Sequence, residues 1–264
     1  MVDTFELEAN TIAKLSNSLS NHLLPLFQHE KCKPKLVGTG FLVSADLEDY
    51  LISAAHVFDE LAKGNELFFY INTTTTAKLS GKLLRTKLQP NKNRTGDKLD
   101  IGVLKLDNLI RPPYREILKY SLPISTLIPN AIPRDGKEYL IIGFPETKSR
   151  INPIARELKS KLSIFQNISA PTSKYGELGL ETSNHIVINF EIKRTILPNK
   201  AIQTFPKPNG MSGAPVWLLY DHNNHNNPNQ TPIVGVLIEY HPSKKALVAT
   251  DINTALKLIR GMTE

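Results

Sequence analysis

Hydrophobic residues in this chain come in short bursts bounded by proline, glycine or polar turn residues, a spacing that predicts strands over most of its length. Leu36 to Ser44 and Tyr50 to Ala54 predict a hairpin across Ala45-Asp46-Leu47-Glu48-Asp49. Leu67 to Asn72, Lys78 to Lys87 and Ile101 to Leu106 predict further strands. Leu24-Pro25-Leu26-Phe27 predicts a short first one, placed at a sheet edge or a strand start by its proline. A polar loop, Gln89 to Lys98, delivers the chain to Asp100, and the prolines 112, 113 and 123 make Leu109 to Leu127 a crossover. The second half continues with Glu138 to Pro145, Leu158 to Ile168, His185 to Phe190, Ala214 to Tyr220, Ile233 to Tyr240 and Ala246 to Ile252.

A helical period shows mainly at the two ends. Ile12, Leu15, Leu19 and Leu23 recur at near-helical spacing in a helix predicted from Thr4 to His22, capped by Asp3 or Thr4 and stopped by Pro25. At the other end Ile252, Leu256 and Ile259 share one face of a helix from Asn253 to Arg260, closed by Gly261. Between them, Phe58 to Ala62 predicts one short helical turn after His56. The N-terminal helix either packs on the body or docks a regulatory protein partner.

Composition narrows the class. The 264 residues are 41% hydrophobic and 22% charged, which suits a globular chain with a full core. Cys32 is the one cysteine, so no disulfide forms within the chain. Met1 to Glu30 lacks a basic stretch followed by an apolar one, and no apolar run is long enough to span a bilayer. The expectation is a cytoplasmic protein of bacterial type with no membrane partner. The net charge of +7 is scattered, without an aromatic-interleaved basic stripe, which argues for a solvated surface and against nucleic acid. Lys31 and Lys33 flank Cys32 and favour its thiolate, but no histidine motif accompanies it and it reads as a structural thiol. His222 and His225 lie in the polar loop Asp221 to Gln230, with no carboxylate or cysteine cluster to complete a metal site, so neither metal nor cofactor is expected.

The chemistry centres on Pro208-Asn209-Gly210-Met211-Ser212-Gly213-Ala214-Pro215. A serine hydroxyl becomes a useful nucleophile when a base takes its proton and backbone N–H groups face the developing oxyanion. Gly210 and Gly213 let the backbone fold tightly around Ser212, making the N–H groups of Gly210 and Ser212 the candidate oxyanion donors. Upstream stand Ser53-Ala54-Ala55-His56, whose small residues allow close packing beneath an imidazole, and Asp100-Ile101-Gly102-Val103-Leu104. His56 is the candidate general base and Asp100 its orienter, with Asp97 the rival acid. An α/β-hydrolase elbow fits poorly, because position 214 is alanine, a strand-like run follows, and neither Asp221 nor His241 has a supporting setting.

These segments, with Gly38-Thr39-Gly40-Phe41-Leu42-Val43, occur in the order His, Asp, Ser, and from about Leu36 to Ile252 the chain resembles the trypsin-like, chymotrypsin-clan serine peptidases. The resemblance implies an all-β protein of two six-stranded antiparallel barrels with a helix at each end. The expected division is a helical extension over 1–23, a first barrel over 24–130 carrying His56 and Asp100, and a second over 131–264 carrying Ser212. It implies a serine endopeptidase acting on protein or peptide substrates, with Ile238, Glu239 and Tyr240 lining the substrate groove. The rival on the same fold is a catalytically silent, peptide-holding module. The chain departs from trypsins in two places. Met211 stands where many carry the aspartate that pairs with a newly cut N-terminus, so activation by such cleavage is not expected. Pro206 stands where trypsins carry the aspartate that selects lysine or arginine, which leaves Glu239 and Tyr240 to tune specificity.

Overall fold

The structure, a computed structural model, describes residues 18–31, 33–72, 75–87, 96–107, 117–130, 132–152, 157–192, 195–196, 202–220 and 231–263. Most of the predicted N-terminal helix, Cys32, His222 and His225 lie outside these; Ser18 to Ser20 form its helical end.

The first half builds β1 (Leu23–Glu30), β2 (Lys33–Ala45), β3 (Glu48–Ala54), β4 (Phe68–Tyr70), β5 (Thr76–Lys78), β6 (Gly81–Arg85), β7 (Ile101–Leu106) and β8 (Leu122–Pro123). Seven run in the order β5-β4-β1-β2-β3-β7-β6, and β8 adds to β2. The second half builds β9 (Glu138–Gly143), β10 (Ser149–Asn152), β11 (Glu157–Ser160), β12 (Ser163–Ile168), β13 (His185–Asn189), β14 (Thr195–Ile196), β15 (Ile202–Gln203), β16 (Pro215–Tyr220), β17 (Ile233–His241) and β18 (Ala246–Asp251). Six of these form a sheet in the order β12-β9-β16-β17-β18-β13, while β10 pairs with β11 and β14 with β15. The protein is therefore mostly β, two curled antiparallel sheets forming half-barrels, the chymotrypsin-like arrangement. The first sheet has eight strands where six were expected, because β5 and β6 stand where one strand was expected and the crossover contributes β8, which runs parallel to β2 with Val43 opposite Leu122.

Several elements differ in detail from the sequence reading. The strand expected over 78–87 is broken before Gly81, whose φ of +147° and approach to the Lys105 carbonyl leave no room for a Cβ. The strand expected over 158–168 is two, because the chain changes partner from β10 to β9 around Lys161 and Leu162. The C-terminal helix runs Asn253–Thr263, through Gly261. Its apolar face continues past the glycine, with Ala255, Leu256, Ile259 and Met262 all buried, and this burial outweighs the cost of about 1 kcal/mol for a helical glycine. That face packs against β7, in a cluster holding Leu26, Phe41 and Ile52 of the first sheet with Leu140, Trp217 and Val236 of the second. A helix at Thr172–Leu178, not anticipated, ends on Gly179 in the left-handed conformation.

The predicted hairpin closes tightly, with Ala45 opposite Glu48 and only Asp46 and Leu47 between them. Both have positive φ, +49° and +66°, so the turn is of the kind that favours Asp-Gly. Leu47 is fully exposed there. Leu47→Gly should therefore raise stability by about 0.5–1 kcal/mol, the relief of left-handed strain exceeding the entropy a glycine adds to the unfolded chain. A denaturant melt with unchanged slope checks this.

Candidate active site

Register brings the first two candidates together. β3 and β7 are antiparallel neighbours with Ala54 opposite Ile101, so the residues just after β3 and just before β7 leave the same end of the sheet. His56 sits in the short helical turn Ala55–Phe58 and Asp100 directly precedes β7. Gly102 lets the Phe58 ring lie against β7, where a Cβ would fall 2.5 Å from it. The Ala55 N–H donates to the Asp100 carbonyl at 2.8 Å. One Asp100 carboxylate oxygen accepts the His56 backbone N–H at 2.9 Å, and the other lies 2.5 Å from His56 Nδ1. Asp97, the rival acid, turns away and accepts from the Thr86 hydroxyl.

Asp100 is buried, while the imidazole is about a third exposed, at 36%. Burial pushes the Asp100 carboxyl above the usual carboxylate range, and the hydrogen bonds and charge of His56 act against that rise. The segment before Asp100 is held from the second sheet, where the Thr250 hydroxyl donates to the Leu99 carbonyl at 2.6 Å and His185 Nε2 lies 3.0 Å from the Lys98 carbonyl.

The serine turn is held by its carbonyls. Asn209 O accepts from the Glu146 N–H at 2.7 Å, Met211 O from the Ala214 N–H at 2.9 Å, and Ser212 O from the Thr39 N–H at 2.8 Å. Gly210 O accepts from the Thr39 hydroxyl at 3.0 Å. In a trans peptide the carbonyl and the N–H of the next residue point in opposite directions. Holding Asn209 O and Met211 O therefore turns the N–H groups of Gly210 and Ser212 the other way, and neither has a hydrogen-bond acceptor among the described residues. The N–H groups of Met211, Gly213 and Ala214 are satisfied by Pro208, Leu237 and Met211 carbonyls. Gly210 and Gly213 both have positive φ, +86° and +89°. Met211 is fully buried in the apolar core of the second sheet, with Ala214 and Leu237.

His56 and Ser212 line one cleft of about 860 Å³, with Gly210, Leu237, Ile238, Glu239 and Tyr240 along the wall. Among the described residues no hydrogen bond joins Ser212 to the ring. β17 pairs with β16 no further than Val236, which leaves the side of Ile238–Tyr240 away from β18 without a partner strand among the described residues. Ile238 is nearly buried, Glu239 is exposed and lies 3.0 Å from His241, and the Tyr240 ring stands edge-on to Phe190. The sequence reading did not single out Lys35, Ile192 and Lys207, which also face the cleft, nor the Glu146 N–H. Lys207 could have been found from its position just ahead of the serine turn. Among the described residues no group of three or more His, Cys, Asp or Glu is placed to hold a metal, and no helix is long and apolar enough to cross a membrane.

Two half-barrels meeting at a cleft that holds a carboxylate-bound histidine and a glycine-flanked serine define a chymotrypsin-like protein. Compared with models of known families, residues 38–222 match the trypsin-like peptidase domain, well over half of the 264-residue chain. The chain belongs to that family, and the membership supports peptidase function. A search of curated proteins returns no match.

Proposed function

We propose that the protein is a serine endopeptidase in which His56, Asp100 and Ser212 form the catalytic triad. The observation that carries this reading is the pair of hydrogen bonds that Asp100 accepts from His56, from Nδ1 and from the backbone N–H, with His56 in the same cleft as Ser212. Asp100 fixes the tautomer with its proton on Nδ1, leaving Nε2 as the proton acceptor. Ser212 Oγ attacks the scissile carbonyl as its proton passes to Nε2. The N–H groups of Gly210 and Ser212 bind the oxyanion. The imidazolium then protonates the leaving amine, an acyl-enzyme remains, and water repeats the sequence to release the acid. The first half of the chain, 24–130, supplies base and orienter, and the second, 131–264, supplies the nucleophile.

The peptide backbone of the substrate adds as a strand to the open side of Ile238, Glu239 and Tyr240. No metal or cofactor takes part. With Met211 buried in the apolar core, control comes from loop ordering or a protein partner, as in stress or defence effectors, in place of a charge pair to a cut N-terminus. Labelling with a fluorophosphonate probe tests the reading. The native chain should label and Ser212→Ala should not; a folded native chain that stays unlabelled would instead indicate the peptide-holding module.

A further inference from the structure

Thr39 is fully buried and makes four hydrogen bonds to four different places. Its N–H donates to Ser212 O at 2.8 Å, and its carbonyl accepts from the Ser53 hydroxyl at 2.7 Å, three residues before His56. Its own hydroxyl donates to Gly210 O at 3.0 Å and accepts the Phe144 N–H at 3.0 Å. A threonine hydroxyl has one proton to give and lone pairs to receive with, so this pattern fixes the direction of each bond.

Among the described residues, the hydroxyl is the only side chain in the set of groups that hold the carbonyls of Asn209 to Ser212; the others are backbone N–H groups. It also joins two restraints. The Phe144 N–H that it accepts begins the segment whose Glu146 N–H holds Asn209 O, and that bond aims the Gly210 N–H toward the cleft. The hydroxyl itself sets the Gly210–Met211 peptide, which lies between the two peptides whose N–H groups face the cleft.

Resting on the peptidase reading above, we infer that Thr39 is a positioning residue: its hydroxyl clamps the serine turn to the Phe144–Glu146 segment and keeps the Gly210 and Ser212 N–H groups aimed at the oxyanion position. The clamp makes the site competent in the uncut chain. It acts through the backbone and touches no reacting atom.

The test compares native protein with Thr39→Val, which keeps the branched shape and deletes the hydroxyl, and Thr39→Ser, which keeps the hydroxyl. Two quantities are read well below every melting midpoint: the rate of fluorophosphonate labelling per folded molecule, and hydrogen exchange of the amides from Asn209 to Gly213. Thr39→Val should label about 10- to 100-fold more slowly, approaching the loss of one oxyanion donor. Its turn should exchange faster, and Thr39→Ser should return both to within a few-fold of native. A change in folded fraction alone leaves the first quantity unmoved, and its effect on the second is removed by comparison with the core amides of β3, which report global opening. The inference is overturned if Thr39→Val labels and exchanges like the native chain, or if Thr39→Ser is as impaired as Thr39→Val. If the folded native chain does not label at all, the peptidase reading fails, and exchange alone decides Thr39: faster in the valine variant and restored in the serine variant supports the clamp, unchanged overturns it.

Discussion

Replacing Asp100 by asparagine is expected to cut turnover on the order of ten-thousand-fold and, at the same time, to raise the melting temperature. The loss of activity follows from the tautomer. An asparagine can keep the bond to the His56 backbone N–H, but its amide group then faces Nδ1 with a donor. The ring turns its proton to Nε2, and the atom that should accept from Ser212 no longer can. The gain in stability follows from burial. Desolvation raises the Asp100 carboxyl above its unfolded value despite His56, so the folded state binds the proton better than the unfolded one. The fold is then favoured below the ordinary carboxylate range and loses that advantage as pH rises through the raised folded value; at neutral pH the ionised carboxylate is a penalty. Asp100 also has a φ of +44°, a conformation that asparagine tolerates well. A gain of about 1 kcal/mol corresponds to roughly 2–4 °C for a chain of this size. Thermal melts at several pH values, run beside kcat, check both halves, and the difference between native and Asp100→Asn should shrink as pH falls below the carboxylate range. A variant that loses stability and activity together would make Asp100 a structural aspartate.

What could be read from the sequence, and what could not, divides along a physical line. The hairpin and the strand from Ile101 were legible because apolar runs and turn residues mark them, and their pairing alone carries His56 to Asp100. The order of the chemical segments announced the serine turn. Which way each peptide of that turn faces was not legible, since every residue has an N–H and a carbonyl; orientation is set by Glu146, Ala214 and Thr39, two of them far away in sequence. Thr39 left a faint trace, a hydroxyl between Gly38 and Gly40. A Cβ at Gly38 would press on Val57 and on the Ser212 carbonyl, so that glycine marks where the first sheet touches the turn. The helix end was misread because Gly261 is a local signal and the buried Met262 beyond it a tertiary one.

Gly213→Ala should be among the most damaging single substitutions in the protein, costing about 4–5 kcal/mol and removing labelling of Ser212. Two costs add there. The backbone stands at φ +89°, which an L side chain resists, and an added Cβ would lie 2.0 Å from the Ser53 hydroxyl and 2.1 Å from the Thr39 carbonyl. Those atoms cannot withdraw cheaply: they are bonded to each other at 2.7 Å, and the Gly213 N–H is itself tied to Leu237 O. Gly64 separates the two costs. Its φ is +85° and a Cβ would meet nothing within 4 Å, so Gly64→Ala carries the backbone cost alone, about 1 kcal/mol. The difference between the two variants in a denaturant melt measures the close approach itself. Removing the hydroxyl with Ser53→Ala should recover only part of it, because the Thr39 carbonyl remains in the way. If Gly213→Ala and Gly64→Ala cost the same, the turn yields easily under Ser212, and the tight seating of the proposed nucleophile on the first sheet is wrong.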